Sequence, residues 1–292
     1  MQKPLINQKL RQKLTALFSA VLLSTSLAAC GDKAADKSSE SASVSHLEQI
    51  KQAGKVRIGV FSDKPPFGYV DQNGASQGFD VEIAKAIAKD LLGDENKIDY
   101  VLVEAANRVE YLQANKVDII LANFTVTPQR QEVVDFAKPY MQVSLGIVSP
   151  KDKPITDVAQ LADKTLVVNK GTTADTYFSK NYPNQKVLKF EQNTETFAAL
   201  LDGRGEALAH DNTLLFAWAK DHPEFQVGVK QLGEQDFIAP AVKKGDKELL
   251  EWLNAEIEKL GKQGVLKQAY DKALLPVYGD SIQESDVLVE YK

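Results

Sequence analysis

Hydrophobic and polar positions follow two different periods along most of this chain. Residues 55–60 alternate at period two, which predicts a strand, and residues 165–168 form a second short apolar run before the polar turn at 169–173. Residues 79–92 instead bring apolar side chains to one helical face, and Gly93 then ends the helix. Strand and helix patterns that alternate in this way predict an α/β fold with mostly parallel sheets.

The most informative segment is the octet Asn123-Phe124-Thr125-Val126-Thr127-Pro128-Gln129-Arg130, which follows a short apolar strand at 117–122. Thr127 and Pro128 match a helix N-cap followed by proline at the first helical position, which places Arg130 in the first turn. Hydroxyls, backbone N–H groups and a guanidinium then converge, and such a site suits a planar carboxylate. An exposed helix start with a solvated arginine has the same pattern, so both interpretations stay open.

Residues 200–213 can be aligned with residues 112–125. In each copy a polar residue follows an acid by five positions, Asn123 in the first and Asp211 in the second, and a threonine follows two residues later. The alignment predicts two similar lobes, each presenting a loop at the carboxyl ends of its strands, where open α/β sheets bind ligands. Chance similarity of two βα units is the alternative.

The two copies together suit an amino-acid zwitterion. Arg130, Thr125 and the turn Gly171-Thr172-Thr173 offer donors for a carboxylate, and Asp211 offers an acceptor for an ammonium group. The two halves of the site would come from different lobes, so ligand binding could drive a hinge closure. Asp211 could instead be a helix N-cap.

Three further residues are candidates for the same site. Phe67, in the proline- and aromatic-rich loop 65–69, could stack on a ligand or pack within a rigid turn. Arg108 begins a helix and could reach the ligand side chain, or be solvated. We expect His210 to form part of the site wall. The histidines lack metal-ligand spacing, and the chain has no nucleophile elbow, phosphate loop or dinucleotide fingerprint, so we expect no enzyme, metal or cofactor.

The N-terminal residues predict export. Four basic residues precede an apolar run from Leu14 to Ala29, as in a secretory signal, so we assign residues 1–29 to a signal peptide. The sequence Leu27-Ala28-Ala29-Cys30 resembles a bacterial lipobox, in which the only cysteine of the chain carries the lipid; an ordinary cleavage site is the alternative. We assign residues 30–46 to the lipidated cysteine and a flexible tether of small and charged residues.

Charge narrows the range of partners. Removing the four positive charges of the signal changes the net charge from −5 to −9. A chain with this balance lacks the basic footprint that nucleic acid requires, so we expect no nucleic-acid partner. The single cysteine also allows no disulfide within the chain.

The chain resembles the bacterial extracellular solute-binding proteins of the polar amino-acid family, which capture solutes for ATP-driven importers. The segments PPFGY, GFDVEIAKAIA, DIILANFTVTPQR, VDFAKPYM, NKGTT and AHDNT carry the resemblance, between about His46 and Tyr270. It implies a periplasmic-binding-protein-like fold of type II with two lobes joined by two strands, near Tyr140–Ser144 and Glu234–Ile238. The first lobe would comprise residues 47–141 and 239–292, and the second residues 142–238.

The resemblance also implies residue roles. Arg130 and Thr125 match the carboxylate-binding arginine and threonine of the family, Thr172 and Thr173 match its second-lobe threonine turn, and Asp211 matches its ammonium-binding aspartate.

Two positions bear on the ligand. Many relatives have glycine where Asn123 stands, and arginine at the position of Arg108 also occurs in relatives that bind aspartate or glutamate. The chain most resembles the cysteine-binding lipoproteins. We therefore expect a monomeric lipoprotein, anchored in the periplasm or at the cell surface, that binds L-cysteine and delivers it to an ABC-transporter permease in the inner membrane. Aspartate or glutamate binding, a periplasmic lyase on the same scaffold, and a surface antigen or adhesin are the alternatives.

Overall fold

Two five-stranded sheets organise the protein. The computed structural model describes residues 44–279 and 282–292. The first sheet has the strand order Ile98–Val103, Val56–Phe61, Ile119–Ile120, Ala241–Lys243 and Val134–Phe136. The second has the order Lys186–Phe190, Thr165–Asn169, Ala207–Asp211, Met141–Pro150 and Phe225–Ile238. A small third sheet contains Asp63–Lys64, Gly68–Val70 and Ser76–Gln77. We call the part built around the first and third sheets the first lobe, and the part built around the second sheet the second lobe. The two-lobed α/β fold class expected from the sequence is confirmed.

The strands have the following bounds: β1 Val56–Phe61, β2 Asp63–Lys64, β3 Gly68–Val70, β4 Ser76–Gln77, β5 Ile98–Val103, β6 Ile119–Ile120, β7 Val134–Phe136, β8 Met141–Pro150, β9 Thr165–Asn169, β10 Lys186–Phe190, β11 Ala207–Asp211, β12 Phe225–Ile238 and β13 Ala241–Lys243. The helices are α1 His46–Ala53, α2 Phe79–Leu92, α3 Arg108–Gln113, α4 Pro128–Gln131, α5 Thr173–Asn181, α6 Asn193–Leu201, α7 Asn212–Asp221, α8 Lys247–Lys262, α9 Val265–Ala273, α10 Leu275–Tyr278 and α11 Glu284–Val287, with a 3₁₀ helix at Val158–Leu161.

Each five-stranded sheet combines parallel and antiparallel pairs. Strand β1 runs parallel to β5 and β6, and β9 runs parallel to β10 and β11. Strand β13 runs antiparallel to β6 and β7, and β8 runs antiparallel to β11 and β12, so the expected parallel pairing holds for only half of the strand pairs in each of these sheets. Apolar side chains cover both faces of each sheet, which is why the predicted strands read as apolar runs. The helix predicted at residues 79–92 is confirmed, with Ile83 and Ile87 fully buried and Gly93 in a left-handed conformation at its end.

Strands β8 and β12 pair antiparallel and connect the lobes. Met141 pairs with Ile238 and Val143 with Asp236, in the stretch where the resemblance implies the crossing strands. At the end of β12, Ile238 also forms a β-bridge to Thr125, and Phe237 O accepts from Val126 N. The octet that follows strand β6 is thus hydrogen-bonded directly to β12, one of the two strands that connect the lobes.

Helix α1 is attached to the first lobe through its first residue, His46. The Nε2 atom of His46 lies 2.9 Å from Asp118 Oδ1, and its Nδ1 atom lies 2.5 Å from Asp246 Oδ2. Asp118 also accepts from Arg57. The hydrogen bond to Asp118, opposed by burial and assisted by Asp246, raises the pKa of His46 above its ordinary value. A protonated His46 therefore holds the helix between two carboxylates.

None of the helices in the described ranges is long and apolar enough to cross a membrane. The predicted signal peptide and Cys30 lie outside the described residues.

Candidate functional site

The octet folds as its sequence predicts. Helix α4 begins with Pro128, and the Thr127 hydroxyl accepts a hydrogen bond of 3.3 Å from the backbone N–H of Arg130. The Arg130 side chain folds back so that Nη1 donates to Thr125 O at 2.7 Å. Its guanidinium lies over the ring of Phe124, 4.7 Å from the centroid. Because Pro128 and the Thr127 cap fix where helix α4 begins, the Arg130 guanidinium lies at the edge of the first sheet.

Arg130 also reaches the second lobe. Its Nη2 atom donates to Gly171 O at 2.8 Å. Gly171 follows β9 with a φ of +72°, and an added Cβ would lie 2.5 Å from the Cα atom of Ala106 in the first lobe. The predicted carboxylate-binding elements from the two lobes are therefore in direct contact, through a turn that glycine allows.

The threonines of this turn begin helix α5. The Thr172 hydroxyl donates to Asn169 O at 2.7 Å and accepts from Asp175 N at 3.2 Å, so it is a helix cap. Thr173 lines a cavity of about 300 Å³ together with Arg130 and Asp236. Both predicted threonines therefore lie at the second-lobe side of the Arg130 contact.

Arg108 is buried in the same place and is not solvated. Its guanidinium donates to Ala122 O and Asn123 O at 2.9 and 3.1 Å, and lies 4.3 Å from the centroid of Phe124. Burial and the neighbouring charge of Arg130 hold the pKa of Arg108 well below its usual range. Burial likewise lowers the pKa of Arg130 to about 10, although Asp211 opposes that shift. Two guanidiniums thus face the same aromatic ring.

Asp211 forms a buried ion pair with Lys64, which was not predicted from the sequence to belong to the site. Asp211 stands at the start of α7, but its side chain makes no capping hydrogen bond there. Its Oδ2 atom instead accepts from Lys64 Nζ at 3.0 Å, and Lys64 Nζ also donates to Asn123 Oδ1 at 2.5 Å. Burial opposes ionisation of Asp211, but the Lys64 ammonium prevails and holds the pKa of that carboxyl far below its ordinary value. The helix-cap interpretation of Asp211 does not describe its side chain.

The backbone of Asn123 is hydrogen-bonded to Asp80, a second site residue that was not predicted from the sequence. The backbone N–H of Asn123 donates to Asp80 Oδ2 at 2.8 Å, and the Tyr140 hydroxyl donates to Asp80 Oδ1 at 2.7 Å. Asn123 has a φ of +43°, a conformation that asparagine tolerates better than most residues. Burial raises the pKa of Asp80 to about 7. The GFDVE segment gives no clear signal of this role, because an acid in the first turn of an apolar helix is usually solvated.

His210 and Phe67 form walls of this region. His210 is buried, and its Nδ1 atom accepts from Asp211 N at 2.7 Å, so the ring carries its proton on Nε2. Burial lowers the pKa of His210, which keeps the ring neutral. Phe67 is packed in the hydrophobic core with its ring 5.8 Å from Lys64 Nζ. This placement matches the packed turn that was one of its two interpretations.

A second contact between the lobes lies at helix α6. Gln192, at the start of this helix, makes no capping hydrogen bond with its side chain. Asp63 of the first lobe takes that place: its carboxylate accepts from Asn193 Nδ2 at 3.0 Å and from Thr194 N at 3.2 Å. A helix of one lobe is thus capped by a carboxylate of the other.

In the described part of the chain, no group of three or more histidine, cysteine, aspartate and glutamate residues is arranged to hold a metal ion.

Comparisons with known proteins show the family and the fold of the chain. Residues 56–276 match the family model of bacterial extracellular solute-binding proteins, family 3. The solute receptor for L-cysteine of Neisseria gonorrhoeae is 64% identical, with a TM-score of 0.83 over 84% of this chain and 99% of that chain. The cysteine-binding protein of Campylobacter jejuni is 64% identical, with a TM-score of 0.83 over 85% of this chain and 100% of that one. The glutamine-binding protein GlnH of Bacillus subtilis is 35% identical over 263 residues, 89% of this chain and 94% of GlnH.

Proposed function

Since the chain belongs to the bacterial extracellular solute-binding proteins of family 3, we propose that it captures free L-cysteine for an ABC importer. One observation carries the proposal: Arg130 of the first lobe donates to Gly171 of the second, while Asp211 of the second lobe pairs with Lys64 of the first and acts electrostatically on Arg130. The identity of 64% to two proteins named for cysteine supports the choice of solute.

We propose that Arg130 and Thr125 bind the ligand carboxylate together with the turn Gly171-Thr172-Thr173. The Arg130 guanidinium donates to the carbonyls of Thr125 and Gly171, and a ligand carboxylate is a stronger, bidentate acceptor for the same group. Asp211 would accept the ligand ammonium while it keeps its contact with Lys64. Residues of both lobes would then bind the backbone groups of the amino acid.

The remaining site residues would enclose the ligand side chain. Asn123, Arg108 and His210 surround Lys64 and Asp211 with buried polar groups, and Phe67 closes the apolar side. Because binding needs residues of both lobes, ligand binding and closure of the lobes are coupled in a single equilibrium. Strands β8 and β12 would act as the hinge, with residues 47–141 and 239–292 forming one lobe and 142–238 the other.

We further propose that Cys30 carries the lipid anchor and that the residues between it and helix α1 act as the tether. The predicted tether of residues 30–46 extends too far, because His46 is the first residue of α1 and contacts Asp118 and Asp246. The anchored domain would then present its ligand to a permease in the inner membrane. Mass spectrometry of the membrane-bound protein tests the anchor: a lipid mass that disappears in Cys30→Ser supports it, and an unmodified Cys30 contradicts it.

An aspartate or glutamate ligand is the second candidate, and Arg108 is the observation that favours it. A second buried guanidinium beside Arg130 provides donors for a side-chain carboxylate.

Calorimetric titration of the purified protein with each standard amino acid and with cystine tests the proposal. We expect one cysteine to bind per chain more tightly than any other amino acid. Heat with aspartate or glutamate and none with cysteine would replace the first candidate by the second, and no heat with any amino acid would contradict both.

A further inference from the structure

The buried part of the site holds more positive than negative charge. Lys64 and Arg108, which are buried, and Arg130, which is partly exposed, contribute three cations, whereas Asp211 and Asp80 are the two buried carboxylates beside them. Burial lowers the pKa of each of the three cations, but the charge of Asp211 opposes that shift in every case. Burial raises the pKa of Asp80 to about 7, so near neutral pH its carboxyl is charged for only part of the time. At least one positive charge is therefore left without a buried counter-charge.

The hydrogen bonds locate this excess at the two arginines. Arg108 donates to the carbonyls of Ala105, Ala122, Asn123 and, more weakly, Gly171, and Arg130 donates to those of Thr125 and Gly171. Within residues 44–279 and 282–292, neither guanidinium has a carboxylate within ion-pair distance. Carbonyl dipoles solvate a buried cation but do not neutralise it.

Other titratable groups around the site leave this balance in place. His210 is neutral, and burial and Asp80 keep the pKa of the Tyr140 hydroxyl well above its ordinary value. Asp236 lines the same small cavity as Arg130, and both side chains are partly exposed there, so their charges offset each other in part. The charge that no carboxylate compensates is therefore centred on the buried Arg108.

A zwitterion brings no net charge, so it cannot compensate this excess, whereas an amino acid with one net negative charge can. Building on the function proposed above, we infer that the cleft binds its amino acid as a net anion, and L-cysteine as the thiolate. On binding, the S–H bond of the ligand breaks, both electrons stay on sulfur, and the proton passes to the solvent buffer.

Lys64 is well placed to stabilise the sulfur anion. Its ammonium has three N–H donors, and two of them are directed at Asn123 Oδ1 and Asp211 Oδ2. Lysine and arginine side chains near a thiol lower its pKa and favour the thiolate. Lys64 and Arg108 are both buried in this region, so both can act on the ligand sulfur without competition from water.

Proton release and thiolate absorbance test the inference. Calorimetry at pH 7 in two buffers of different ionisation enthalpy measures the protons released, and we expect about one per cysteine because a free thiol has a pKa of about 8.5. Ultraviolet difference spectra should show thiolate absorbance on mixing, in the Cys30→Ser protein, whose only thiol is then the ligand's. L-Aspartate, already an anion, serves as the ligand without a thiol.

The outcomes separate the inference from the proposed function. Proton release together with thiolate absorbance supports the inference. Cysteine binding without either signal overturns it and leaves the proposed function standing, whereas a lack of cysteine binding overturns the proposed function itself.

A variant pair tests the origin of the effect. Lys64→Gln removes one cation and retains hydrogen bonding, so cysteine should then bind with no net proton release. Lys116→Gln is the matched control, because Lys116 also pairs with a carboxylate and lies over an aromatic ring but is exposed. It should release as many protons as the parent. Equal proton release by the parent and by Lys64→Gln would contradict the inference that the excess positive charge favours the thiolate. If Lys64→Gln does not bind cysteine, the thiolate absorbance of the parent complex decides whether the ligand is bound as the thiolate.

Discussion

The contact between Asp63 and helix α6 predicts that ligand affinity can be changed without altering any residue that faces the ligand. Asp63 lies in the first lobe and caps a helix of the second lobe, so this cap is made only when the lobes are together. Because Gln192 makes no capping bond of its own, the helix start loses its side-chain cap when the lobes separate. Asp63→Ala should therefore shift the equilibrium towards the open arrangement.

The magnitude follows from the cap. Loss of an N-cap side chain costs about 0.5–2 kcal/mol, and a carboxylate at a helix N-terminus contributes roughly 0.3–1 kcal/mol more at low salt. Asp63 is partly exposed, so we take about 1–2 kcal/mol in total. That free energy corresponds to ligand affinity roughly 5- to 30-fold weaker.

Calorimetry gives the affinity, and stopped-flow displacement should assign most of the loss to faster ligand release. Asp157→Ala is the matched control, because Asp157 caps the 3₁₀ helix within a single lobe, accepting from Ala159 N at 2.8 Å. The control should lower the melting temperature and leave affinity unchanged. If Asp63→Ala binds as tightly as the parent, or if Asp157→Ala loses the same affinity, the cap across the lobes does not stabilise closure.

Two further predictions concern closure and pH. Gly171→Ala should weaken binding about tenfold or more, because its Cβ would meet the backbone of Ala106 in the other lobe. Gly203→Ala, which has a similar φ but open space around it, should lower stability and leave affinity unchanged. Equal calorimetric affinities of the two variants would contradict this. His46 has a raised folded-state pKa, so its stabilisation is complete below about pH 6.5 and is lost as the pH rises through the folded-state value. Urea midpoints should therefore fall with rising pH more steeply in the parent than in His46→Gln. Parallel curves for the parent and His46→Gln would rule out this role.

The local elements of the site could be predicted from sequence because their signals are local. Thr127 and Pro128 specify a helix start within four residues of Arg130, and no distant contact is needed to place that arginine in the first turn. The alignment of the two copies was also informative. Asn123 and Asp211, which it made equivalent, both accept hydrogen bonds from the ammonium of Lys64.

Lys64 and Asp80 could not be assigned in the same way. A lysine beside a proline-rich loop and an acid in the first turn of a helix are both usually solvated, and nothing in their neighbours shows which way the side chain points. Their partners are 147 and 43 residues away along the chain, at Asp211 and Asn123. The copies also diverge at their threonines: Thr125 forms a β-bridge with Ile238, whereas the counterpart of Thr125 lies in the first turn of α7.

The affinity of Arg130→Ala for L-cysteine tests the central claim most directly. If Arg130 binds the ligand carboxylate in a closed cleft, its removal leaves that charge unpaired and should cost about 2–5 kcal/mol, or roughly 30-fold or more in affinity. Arg204→Ala is the matched control, since Arg204 also lies over an aromatic ring, 4.9 Å from the centroid of Phe190, but is exposed. We expect a large calorimetric loss of affinity for Arg130→Ala and none for Arg204→Ala. Parent-like affinity of Arg130→Ala would contradict it.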